Sequence, residues 1–156
     1  MARSRRGLEI LTLLVLLASA LAACAPASEA PGEAMLADAP TGVPGEAPAE
    51  YQDLTNPLSG DPQAIAAGSE AYAALCSQCH GATGAGDGQA GESLVPGPTD
   101  FTRQQQMAAL SDGYLFWRIS EGGAFDPFNS LMPAWGTLLN EREIWELVSY
   151  IRSLSS

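Results

Sequence analysis

Cys76, Cys79 and His80 stand within five positions of one another in a 156-residue chain that has one histidine and three cysteines in all. That concentration limits what the chain can build. The remaining cysteine, Cys24, lies far upstream at the end of an apolar run, so no disulfide framework is available. A zinc ribbon needs four ligands, usually a second cysteine pair, and there is none. A thioredoxin-like thiol pair wants a βαβ setting, and no stretch of this chain alternates as a strand. Cys-x-x-Cys-His remains as a covalent haem-attachment motif. Two thiols three positions apart can each add to one vinyl group of a haem, and the histidine that follows is then held beneath the iron.

A second axial ligand has three candidates downstream of the start: Met35, Met107 and Met132. Met35 sits in a proline-rich stretch, and Met107 in a glutamine-rich segment where packing is its expected role. Met132 precedes Pro133, and a residue before proline is biased to extended backbone. That conformation can hold a thioether out toward a cofactor, so Met132 is the expected ligand.

The N-terminal third reads differently. Arg3, Arg5 and Arg6 precede an apolar run over Ile10–Leu17 and then small residues to Ala23, the layout of a secretory signal. The run is short for a membrane span. Leu21-Ala22-Ala23-Cys24 resembles a bacterial lipobox, which predicts cleavage before Cys24 and its lipidation. Residues 24–60 are rich in Pro, Ala, Gly and Glu with few large apolar residues. Such a stretch cannot bury enough surface to offset its ordering entropy, so a tether is expected. The rival expectation lays it along a partner subunit through Tyr51, Leu54 and Leu58.

From Cys24 onward there are 4 arginines, no lysine and 17 carboxylates. A net charge of −13 excludes nucleic acid as a partner and disfavours an anionic lipid surface. It favours redox partner proteins that carry a basic docking patch. Residues 61–156 form the expected head, and it reads as all-α. Asp61-Pro62 opens a first helix that runs to about Cys79. Residues 81–100 are a glycine- and proline-rich loop, and a short helix covers 102–110. Ser111-Asp112 starts another helix, which Gly122-Gly123 stops. Asn140 and Glu143 form a capping box for the last helix.

The order and spacing of several segments resemble the class I cytochromes c. These are Cys76–Gly81, Gly84–Gly88, Gly97-Pro98-Thr99-Asp100-Phe101, Tyr114–Gly122, Met132-Pro133-Ala134-Trp135-Gly136 and Leu147–Ile151. The resemblance covers the head. It implies one covalent haem c, thioether bonds from Cys76 and Cys79, and His80 and Met132 as the axial, iron-binding pair. It further implies that the Pro98 carbonyl binds the other ring nitrogen of His80. Leu115, Phe116 and Ile119 would wall the haem, and Trp135 would reach a propionate. Gly68 and Tyr72 would cross Leu147 and Tyr150. The function implied is one-electron transfer on the outer, periplasmic side of a membrane rather than catalysis by an enzyme. With its lipobox and acidic tether, the chain is similar to the mono-haem lipoprotein subunit of bacterial alternative complex III, a quinol-oxidising respiratory complex, and to small cytochromes that feed terminal oxidases.

Overall fold

A computed structural model describes residues 47–156. The signal segment, Cys24, Met35 and the expected tether up to residue 46 lie outside the described residues. Six α-helices and one 3₁₀ turn make up the described part, and no strand occurs in it. The all-α expectation holds.

The helix starts follow from local chemistry. Helix α1 spans Ala49–Gln52. Helix α2 spans Pro62–Leu75, and its N-cap Asp61 accepts a 2.8 Å hydrogen bond from the Gln63 amide. Pro62 occupies the first turn, where its missing N–H is no loss. Helix α3, Ser77–His80, follows after a break at Cys76. The sequence predicts one continuous helix here. The break arises because the Ser77 hydroxyl takes the Ala73 carbonyl at 2.8 Å, a local competitor for the helical bond. Helix α4 is Gln104–Ala108 and α5 is Asp112–Glu121. Ser111 caps α5 by accepting from the Tyr114 amide at 3.0 Å. Gly122, at φ 69°, ends it in a conformation that favours glycine. A 3₁₀ turn over Trp135–Thr137 leads to α6, Glu141–Leu154. The Asn140–Glu143 capping box is present in both directions, at 3.1 and 2.8 Å.

Helices α2 and α6 cross to make the frame of the head. The crossing is close at Gly68, where any Cβ would fall on the Glu146 carbonyl. Tyr72 and Tyr150 meet beside it with ring centroids 5.1 Å apart. Tyr72, Met107, Leu147 and Val148 are fully buried, and each contributes about 1.5–3 kcal/mol by burial. Met107 is core packing, as expected. Arg152 on α6 binds Asp112 and also donates to the Met107 and Leu110 carbonyls, both at 2.6 Å. One side chain thereby satisfies two carbonyls at the end of α4 and ties α4, α5 and α6 together.

Residues 47–60 do not behave as the expected tether. They form a strap across the head's own helices. The Tyr51 ring lies 6.2 Å from Phe116 and 6.4 Å from Trp117. Asn56 is buried, and its side-chain amide donates to Ser149 Oγ at 2.8 Å while its Oδ1 accepts from the Leu58 amide at 2.9 Å. Ser149 Oγ in turn lies 3.1 Å from the Leu58 carbonyl. Leu58 packs against the core. The composition that suggested disorder misses this, because a few buried contacts and one satisfied polar network anchor the segment.

Candidate cofactor site

Short α3 carries Cys79 and His80 on its single turn, with Cys76 as its N-cap. The His80 and Gly81 amides bond to the Cys76 and Ser77 carbonyls, both at 2.9 Å, so the motif is held by its own backbone. Tyr72 from the frame reaches over and donates to the Gly81 carbonyl at 2.9 Å. The motif is thus fixed to the α2–α6 crossing.

His80 Nδ1 lies 3.1 Å from the Thr99 carbonyl oxygen. A carbonyl only accepts, so the ring proton sits on Nδ1 and Nε2 is left bare for a metal. The resemblance gave this role to the Pro98 carbonyl, and the structure corrects it by one residue. The Pro98 carbonyl is turned instead onto Gly86, whose added Cβ would meet it at 2.7 Å. The turn through Gly97–Asp100 therefore presents the next carbonyl to the imidazole. Phe101 completes the support. Its ring stacks on His80 with centroids 4.6 Å apart and planes 17° apart, and its amide bonds to the Gly84 carbonyl at 2.7 Å. Phe101 belongs to the Gly97–Phe101 segment of the resemblance, which implies no role for it.

Burial lowers the pKa of His80, with the Thr99 bond opposing, so the ring stays neutral and able to ligate. Burial and then the nearby Cys79 push the Cys76 thiol up to about 11. A redox-active pair needs a depressed thiol pKa, so this environment argues against one. Cys76 and Cys79 are not joined to each other. No cluster of three or more His, Cys, Asp or Glu able to hold a metal by themselves exists among the described residues.

Met132 is half-buried against the core cluster. Its loop is pinned to the end of α5: the Gly123 amide donates to the Met132 carbonyl at 2.9 Å and the Ser130 amide to the Gly123 carbonyl at 2.8 Å. Leu115 and Ile119, one turn apart on α5, are both buried in that cluster. The Phe116 ring lies 4.4 Å from Trp145, on the side of the strap. The groove beside it, about 500 Å³ and lined by Tyr51, Leu139 and Ile144, contains none of Cys76, Cys79, His80 and Met132. Trp135 opens the 3₁₀ turn, half-buried against the core, and its carbonyl accepts from the Leu138 and Leu139 amides.

These residues fit a covalently held haem. Two unjoined thiols precede a histidine with a bare Nε2, and a buried arginine nitrogen on α5, Arg118 Nη1, has no hydrogen-bond partner. Such a nitrogen suits a cofactor that brings carboxylates. The class defined by this fold and motif is the c-type cytochrome. The chain belongs to the family described as cytochrome c oxidase, cbb3-type, subunit III, which matches residues 63–151. A covalently bound c-type haem and electron transfer through it come with that membership. No curated protein matches the chain. Among solved structures it is similar to a chain of the Kuenenia stuttgartiensis reducing HAO-like protein complex Kustc0457/Kustc0458, at 28% identity and a TM-score of 0.53. The likeness covers 64% of this chain and 47% of that one, so this chain spans about half the length of its neighbour.

Proposed function

We propose that this protein is a lipid-anchored electron carrier on the outer face of a cell membrane, with His80 and Met132 as axial ligands. The observation that carries the reading is the Nδ1 bond to Thr99, which bares Nε2 on a histidine directly beside two thiols. Cys76 and Cys79 would hold the cofactor covalently, and His80 would bind from the α3 side. Met132 would bind from the loop that Gly123 pins to α5. Bound here, haem supplies a one-electron ferric–ferrous couple. Histidine and methionine together raise the potential of such a couple. Leu115 and Ile119 would exclude water from the site, and Trp135 would reach a propionate.

The chain would serve in a respiratory or photosynthetic electron-transfer chain, as a subunit of a quinol-oxidising complex of the alternative complex III type. Its similar neighbour is named as part of a two-protein complex, which supports a partner protein here. The acidic chain supports a basic docking patch on that partner. Cys24 would anchor the protein through lipid, and residues 25–46 would give it reach.

Two measurements test this. A far-red thioether-to-ferric band in the oxidised protein, lost in Met132→Ala, supports His/Met ligation. A high-spin ferric spectrum in the unmodified protein would instead indicate an open iron site, as in a haem sensor or peroxidase-like protein. Co-purification with quinol-oxidising subunits after mild detergent extraction supports membership of a complex. Recovery of a lone lipoprotein would make it a free shuttle to a terminal oxidase.

A further inference from the structure

The strap leaves part of the head uncovered. The groove of about 500 Å³ lies where the strap, the end of α5, the 3₁₀ turn and the start of α6 meet. Its walls are largely apolar. Leu54 comes from the strap, Phe116 from α5 and Ile144 from α6. Leu54 is 36% exposed, and Leu138, between the lining residues Thr137 and Leu139, is 76% exposed. An apolar hollow rimmed by polar groups marks an interaction site.

Two carboxylates border it, Glu121 at the end of α5 and Glu141 at the start of α6. Each accepts one long hydrogen bond, from Tyr51 Oη and Trp145 Nε1 respectively, both at 3.4 Å. Neither has an ion pair among the described residues. A carboxylate can accept at about four positions, so both keep spare capacity. Their neighbours on α6 do not: Glu143 closes the capping box and Glu146 takes Arg142.

The rim decides the occupant. A segment that covered the apolar wall without bringing cations would desolvate two carboxylates and leave them unpaired, which is costly. Residues 24–46 of this chain carry Glu29, Glu33, Asp38 and Glu46 and neither lysine nor arginine, so they would add charge of the same sign. A second copy is no better supplied. Its Arg103, Arg142 and Arg152 are paired with Asp100, Glu146 and Asp112, and its Arg118 is packed over the Phe128 ring, 3.6 Å from the centroid. A small molecule fits poorly as well. Such ligands are mostly enclosed by their sites, whereas Leu54, Glu121, Thr137 and Glu141 are all exposed here. What remains is another protein that brings its own positive charge.

We infer that this groove docks a partner protein through a segment in which an apolar side chain is flanked by lysine or arginine. The apolar side chain lies against Phe116 and Ile144, and the flanking cations pair with Glu121 and Glu141. The groove contains none of Cys76, Cys79, His80 and Met132, so the partner moors the head without taking a covalent or axial position of the haem. This docking rests on the partner reading above and adds to it a face and a chemistry.

The test uses the full-length, haem-loaded protein in its native membranes. The photo-crosslinking amino acid p-benzoylphenylalanine is placed at Thr137 in the groove or, as a control, at the exposed Gln63 at the start of α2. After irradiation the joined peptides are sequenced by mass spectrometry. From position 137 an adduct is expected with a peptide of another protein that has lysine or arginine within a few residues of the joined site. Glu121→Gln and Glu141→Gln should each lower its yield by about two- to fivefold, the scale of a rim ion pair, and added salt should do the same. The visible haem spectrum should be unchanged in both variants, which shows that they fold. An adduct with residues 24–46, or between two copies, overturns the inference. So does a partner peptide without basic residues, a yield indifferent to both glutamate substitutions, or the same adduct from position 63. Partner subunits that co-purify while position 137 gives no adduct overturn the groove and leave the partner reading intact. Recovery of a lone lipoprotein overturns both.

Discussion

The α2–α6 frame and the cofactor side of the head are built on different principles. The frame closes on itself. Tyr72, Leu147 and Val148 are fully buried, and Asn56, Ser149 and Arg152 all find partners. The cofactor side is held mainly by backbone: carbonyls of Gly84, Thr99 and Gly123 fix Phe101, His80 and Ser130. It also leaves loose ends. Val95 is 93% exposed, Leu131 is 76% exposed, and Arg118 Nη1 is unsatisfied. The frame needs nothing added, whereas the cofactor side is shaped around something the polypeptide does not supply.

The largest expected effect comes from breaking the frame. Gly68→Val would put a side chain onto the Glu146 carbonyl in the α2–α6 crossing. A shift of helix backbone is the only relief, so the expected outcome is loss of the fold, measured as absence of a cooperative thermal transition. Phe101→Ala acts on the other side. It should cost about 3–5 kcal/mol in denaturant titrations, as for other buried phenylalanines. Amide exchange should rise around His80 and stay slow in α6, and equal loosening of both would make the frame and the cofactor side one cooperative unit. Asn56→Ala tests whether the strap belongs to the frame. About 1–3 kcal/mol of destabilisation is expected from the broken network, and a neutral result would return residues 47–60 to the tether. Asn140→Ala should remove about 1 kcal/mol by uncapping α6, with the optical spectrum of the haem unchanged.

The smallest effect is electrostatic. Burial alone would raise the pKa of Asp100, but hydrogen bonds from Thr102 and Arg103 outweigh it and hold it low. Its contribution to stability is complete above the usual carboxylate range and is lost as pH falls through the lowered value. Thr102→Val should move the Asp100 carboxyl resonance back toward its ordinary titration range in an NMR pH series.

The frame was largely legible in the sequence because its signals are local. Asp61-Pro62, Ser111 and the Asn140–Glu143 pair announce helix starts within four residues of where they act. Gly68 was legible through the resemblance, which placed it at the crossing. The cofactor motif was equally legible, since Cys76, Cys79 and His80 are adjacent. The exact carbonyl behind His80 was not, because whether Pro98 or Thr99 faces the ring depends on how one turn is wound. The packing partners of Phe116 were not legible for a related reason: neighbouring positions on a helix differ by about 100° in direction, and it is Trp145 and Tyr51 that the ring meets. Asn56 had no local signal at all. Its partners Trp145 and Ser149 are 89 and 93 residues away. Arg118 could have been suspected from its place on the Leu115–Ile119 face, where a charge interrupts an apolar stripe.

The crossing at Gly68 also sets an order of events during synthesis. Its two halves come from opposite ends of the head, and contacts so distant in sequence form late because the intervening loop must first be closed. A ribosome delivers Cys76 and Cys79 long before Glu146. For that interval the two thiols stand on a chain whose frame has no second half, open to whatever enzyme joins them to their cofactor.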